Sequence, residues 1–133
     1  MFSKKSNKPN GRIDSLIGAG TSVAGDLTFA GGLRIDGEVK GNVRSAADSQ
    51  GMLVISERAR VEGEIHVSHL VINGTVAGPV TSTEFLELQP SARVSGDVFY
   101  TSLEMHLGAV VQGRLVHQAG GTKAVELKLA ASK

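Results

Sequence analysis

Four histidines, His66, His69, His106 and His117, are the residues best suited to chemistry in this chain. An imidazole ligates metals and exchanges protons near neutral pH. His66 and His69 are three apart, so on an extended strand they point to opposite faces and one arm cannot chelate with both. The acids Asp26, Asp36, Glu38, Glu62, Glu64, Asp97 and Glu104 are spread along the chain. Glu64 and Asp97, aligned on one face, would resemble the carboxylate pair of a glycan-cleaving enzyme. The alternative is a solvated polar face that discourages lateral aggregation, and this is the reading adopted. No Ser/His/Asp set is evident. The absence of Cys excludes a disulfide framework, a thiolate zinc site and a Cys nucleophile together. GGTK at residues 120–123 lacks the spacing of a phosphate-binding loop and does not sit between a strand and a helix. No catalytic, cofactor-binding or metal residues are assigned, and the chain is expected not to be an enzyme.

Composition narrows the field further. Fourteen basic residues against 13 acidic ones give a net charge of +1, too little for a global field that attracts nucleic acid. Aromatic surface is limited to Tyr100 and four Phe, with no Trp, which is poor material for stacking bases. No apolar run reaches the 18 or more residues of a membrane span, and no signal-peptide core opens the chain, so a cytoplasmic address is expected. Glycine is the outlier, with 17 of 133 residues against an average near 7%.

An internal repeat accounts for the glycine. From Ile17, the offsets 4, 6, 8 and 10 hold Thr21, Val23, Gly25 and Leu27. The same frame opens at Leu33, Ile55, Leu70, Leu88 and Met105, placing Val39, Val61, Val76, Val94 and Val111 two residues before Gly41, Gly63, Gly78, Gly96 and Gly113. The rule is apolar, small, Val, Gly, apolar, six times over. The copies are 16, 22, 15, 18 and 17 residues apart, and every constrained offset is even. That is the period of a strand.

Glycine on the inward phase implies a sharp bend, with a Cβ on the inside of the corner expected to clash. A coil of about 17 residues with repeated bends is one turn of a β-solenoid. Stacked coils would place Val on Val and Gly on Gly about 4.8 Å apart, making a six-coil rod on the order of 25–30 Å long. Residues 44–51 (RSAADSQG), in the widest gap, read as a loop bulging from one corner. Pro79 and Pro90 are expected at corners because they cannot donate to a ladder. No stretch of the array keeps a helical period. A histidine-rich zinc site of the hexapeptide-repeat carbonic anhydrase type would want steps in multiples of six, which these spacings break. The histidines are therefore expected at exposed or corner positions.

Residues 1–16 are expected to be a basic, flexible N-terminal tail, 17–117 the β-solenoid, and 118–133 a flexible C-terminal tail. Val125, Leu127 and Leu129 alternate with Glu126 and Lys128, which suits either a short strand or a tail. Lys4, Lys5, Lys8 and Arg12, with no acid among them, suit a solubilising tail or contact with anionic headgroups, and far less a nucleic-acid contact.

Six coils of Val-x-Gly-x-apolar, short polar tails and the opening MFSKK together resemble a bactofilin over nearly the whole chain. The resemblance implies an all-β fold: a single-stranded, right-handed, three-sided parallel β-helix of about six coils flanked by disordered tails. It implies polymerisation without nucleotide or other cofactor into cytoplasmic filaments associated with the inner membrane face. Such filaments act as scaffolds that localise cell-wall synthesis or hydrolysis enzymes and other morphogenetic proteins. Met1, Phe2, Ser3, Lys4, Lys5 and Lys8 are then the expected membrane contact. Open ends of the rod are the expected self-contact, through Leu107, Val110, Val111 and Leu115 at one end and Ile17 and Val23 at the other. Val110 stands where many relatives are expected to carry an aromatic residue. The alternative functions are a β-solenoid enzyme or glycan-binding module using one outward face, and a monomeric binding module whose tails recruit one partner. The alternative to open ends is that Val125, Leu127 and Leu129 fold back as a cap and leave a monomer or a single dimer.

Overall fold

Strict even spacing of apolar residues should give strands with one face turned inward, and it does. The computed structural model describes residues 13–46 and 51–118, where all regular structure is β and no helix occurs. The chain winds through six coils. The first holds β1 (Ser15–Ile17), β2 (Ser22–Ala24) and β3 (Leu27–Phe29); the second holds β4 (Gly32–Ile35), β5 (Glu38–Lys40) and β6 (Val43–Ser45). The third has β7 (Met52–Ile55), β8 (Arg60–Glu62) and the first half of β9 (Ile65–Ile72). The fourth has the rest of β9, β10 (Thr75–Ala77) and the first half of β11 (Val80–Leu88). The fifth continues with the rest of β11, β12 (Arg93–Ser95) and β13 (Val98–Tyr100), and the sixth with β14 (Leu103–Met105), β15 (Val110–Gln112) and β16 (Leu115–His117).

Every strand pairs in parallel with its counterpart one coil away. Three faces result. The second face, β2-β5-β8-β10-β12-β15, is a separate six-stranded sheet that stacks Val23, Val39, Val61, Val76, Val94 and Val111. The third face stacks Leu27, Val43, Ile65, Val80, Val98 and Leu115. Both columns have the expected register. These residues and the leucines and isoleucines of the first face fill one continuous core along the rod.

The first face departs from the repeat frame. Ile17, Ile35, Ile55, Ile72, Leu88 and Met105 form its inner column, whereas Leu33 and Leu70 lie two residues earlier, stacked with Leu53 and Leu86. The cause is a corner of two lengths. Coils one, three, five and six turn through a wider corner containing a two-residue turn; coils two and four turn tightly at Gly37 and Gly74. Each tight corner sits on a wide one, and a Cβ on Gly37 or Gly74 would strike the carbonyl oxygens of the wide corner beside it. A shift of two keeps the parity, so Leu33 and Leu70 still point inward.

The glycine column has a different reason from the expected one. Gly41, Gly63, Gly78 and Gly96 adopt φ between 142° and 159°, and a Cβ on each would fall on the carbonyl oxygen of the preceding glycine in the column. Coils approach so closely here that the clash runs along the rod axis, not into the corner. Pro79 and Pro90 do occupy corners. Arg44 and Ser45 belong to β6, so the loop begins later than residue 44; residues 47–50 lie outside the described residues. At the corner that β9 and β11 cross without a break, hydroxyls replace the lost ladder bonds. Ser68 Oγ donates to Gly51 O at 2.8 Å, and Ser82 Oγ lies 2.7 Å from Phe85 O and 3.1 Å from Ser68 O.

Candidate assembly surfaces

Inward side chains of the middle coils are sealed by coils on both sides, whereas those of the end coils have one neighbour each. Val39, Val61 and Val76 have no exposed surface, while Val23 and Val111 in the same column are only half-buried. Leu115 is 42% exposed and Met105 43%, although their counterparts Val80 and Leu88 are fully buried. The described coils therefore end in apolar floors.

The proposed contact residues fall into distinct places. Ile17 and Val23 line the floor of the first coil, and Val111 and Leu115 that of the last. Val110 is on the outward phase of β15, opposite Arg93, and Leu107 projects from the wide corner with 94% of its surface exposed. Met105 joins the floor at the C-terminal end in addition to the expected contact residues, and its place in the repeat frame is the sequence signal for it. Met1, Phe2, Ser3, Lys4, Lys5 and Lys8 lie outside the described residues, as do residues 125–129.

Polar groups on the outward corner help hold the coils in register. The backbone N–H of Asn42 donates to Asp26 Oδ1 at 2.9 Å, and that of Glu64 donates to Asn42 Oδ1 at 2.9 Å. Farther along the same column, the N–H of Arg114 donates to Asp97 Oδ1 at 3.0 Å and its guanidinium lies 2.8 Å from Asp97 Oδ2. The guanidinium bond, then the backbone bond, holds the Asp97 carboxyl below its usual range, and the same contact raises Arg114. Bonds from Ser56 and Arg34 likewise lower Asp36.

Glu64 and Asp97 share this column but Pro79 separates them, leaving them two coils, about 9–10 Å, apart along the axis. They do not form a carboxylate pair, and Asp97 is engaged with Arg114. His66 is exposed on the third face, His69 lies beyond the corner, and His117 meets Tyr100 in a tilted ring contact with centroids 5.5 Å apart. His106 is different: it lies against Glu87 and Glu104, which pair across β11 and β14. The shared position of these two glutamates, one residue before Leu88 and Met105 in the repeat, was the available signal.

By class this is a three-sided parallel β-solenoid whose first and last coils, among the described residues, end in apolar floors. The family that matches residues 15–116 is Bactofilin, described as polymer-forming cytoskeletal. Its limits coincide within a residue with the first and last strands, and the chain belongs to the bactofilin family. Among curated proteins, Bactofilin BacP from Myxococcus xanthus (strain DK1622) is 24% identical over 116 residues, covering 86% of this chain and 47% of the relative. The chain thus spans about half the length of that relative. No solved structure matches the chain.

Proposed function

We propose that the chain is a scaffold subunit that polymerises without nucleotide by stacking its open ends, and that its filaments lie on the inner face of the cytoplasmic membrane. The exposed apolar floors carry this reading: an end residue such as Leu115 gains burial only when another surface of matching cross-section covers it. Stacking requires no nucleotide as an energy source, because burial itself drives it. Sedimentation and electron microscopy of the purified chain without nucleotide should show filaments. A single species at 13.8 kDa would refute the reading.

Met1, Phe2, Ser3, Lys4, Lys5 and Lys8, ahead of the first strand, supply the membrane contact in this proposal. Two apolar side chains contribute only a few kcal/mol, and each lysine about 1 kcal/mol near an anionic surface. A filament presenting many such segments converts weak contacts into avidity. Deleting residues 1–8 should abolish flotation with anionic liposomes while leaving filaments intact, and raised salt should weaken wild-type binding. Flotation that survives the deletion unchanged removes the membrane role from this segment. Cell-wall synthesis or hydrolysis enzymes are the proposed cargo, held along the filament at the membrane.

A further inference from the structure

In-register pairing of β11 with β14 sets Glu87 directly beside Glu104. Like charges so placed oppose the pairing of their strands. Three other outward acids are each matched to an arginine: Asp36 to Arg34 at 2.8 Å, Glu62 to Arg60 at 2.7 Å, and Asp97 to Arg114 at 2.8 Å. Glu87 and Glu104 instead converge on one imidazole nitrogen. His106 Nε2 lies 3.0 Å from Glu87 Oε2 and 3.2 Å from Glu104 Oε2, and the three donor atoms all fall within 4.8 Å of one another.

One N–H proton can point well at only one of two acceptors, but a metal ion bonds all three groups. Donors about 2.0–2.2 Å from a common ion sit about 3.0–3.5 Å from each other, which matches the two separations from the imidazole nitrogen. The donors are also held in place. The His106 N–H donates to Leu88 O at 2.9 Å, tying its backbone to the preceding coil, and Gln89 Nε2 lies 3.3 Å from Glu87 Oε2. An outer contact of this kind orients a ligating carboxylate. The Glu87 side chain is 23% exposed and that of His106 38%, which leaves an entry path and room for water ligands.

We propose that Glu87, Glu104 and His106 bind a divalent first-row transition ion of the zinc type, clamping the sixth coil to the fifth. One imidazole with two carboxylates suits such an ion better than calcium or magnesium, which favour all-oxygen shells. The bound ion removes the repulsion between the glutamates and cross-links two successive coils.

Calorimetric titration of the full chain with zinc chloride tests the site. Wild type should bind one equivalent, and His106→Asn and Glu104→Gln should each weaken binding by about 100-fold or more. Gln89→Ala, which touches a ligand only from outside, should weaken it by about 10-fold. His66→Asn should leave it unchanged. These residues face solvent, and circular dichroism of each variant checks that the fold is kept. Absence of zinc binding in wild type overturns the proposal, as does equal affinity in wild type and the two folded ligand variants, or equal loss in His66→Asn.

Discussion

The third coil and the sixth are built from the same strand pattern, yet they differ in what surrounds them. Val61 touches a valine above and below and has no exposed surface, while Val111, among the described residues, has Val94 on one side only. No coil buries its own core; its neighbours do. Stability is therefore a sum of coil-to-coil contacts, and a terminal coil is an interior coil lacking one partner. The largest expected contrast lies at the centre of the rod. Val76→Asp places an unpaired charge in the sealed column and should cost at least about 4 kcal/mol, enough to unfold the array. Thr75→Asp, next in sequence but outward and in register with Arg60 and Arg93, should be tolerated or slightly stabilising. Equal effects of the two on thermal melting would refute the inward phase.

Next comes the glycine column. Gly63→Ala meets both a φ of 153° and the carbonyl of Gly41, whereas Gly25→Ala meets a φ of 132° and open space. Backbone strain alone is about 1–3 kcal/mol, so the melting temperature should fall clearly more for Gly63→Ala. In filaments the open space at Gly25 is a candidate joint, and loss of assembly by a folded Gly25→Ala variant would place the first coil there. A third contrast concerns Arg at the last two valines of the second-face column. Val94→Arg should unfold the chain, while Val111→Arg should keep the fold and stop growth. Filaments of wild-type length from folded Val111→Arg, seen by electron microscopy, would remove this floor from the contact.

The smallest effect is on pH dependence. Asp36 and Asp97 are held below their ordinary values in the folded chain. The stability they add is complete above the unfolded carboxyl value of about 3.9 and is lost as pH falls through the lower folded values. Arg114→Ala should therefore lower the melting temperature slightly at pH 7, with the gap to wild type closing toward pH 2. A gap that stays constant with pH would show that the Asp97 pair is not its cause.

Two of the three columns were legible because valine and glycine recur at fixed even offsets in all six copies. The first-face register was not, because a corner two residues shorter leaves parity unchanged and an apolar residue still falls where the longer frame expects one. Leu33 and Leu70 illustrate this: each fits the frame by chemistry and misses it by pairing. The Glu87–Glu104–His106 cluster was hidden for a related reason. Its members are 17 and two residues apart along the chain, and only the ladder between β11 and β14 brings them together. The end floors were visible in outline, since residues such as Val111 and Leu115 lack a following copy of the repeat.

The hydrogen bonds between coils run along the long axis of the rod, and this sets how it bears mechanical load. Tension applied through the first and last strands of one chain falls on a single edge at a time, so coils should peel away in sequence like a spring drawn out from its end. Load passed through a stacked neighbour reaches all three faces at once, and every strand of the boundary shares it. A filament of such rods should resist compression and bending across its joints far better than pulling on the tail of a single subunit.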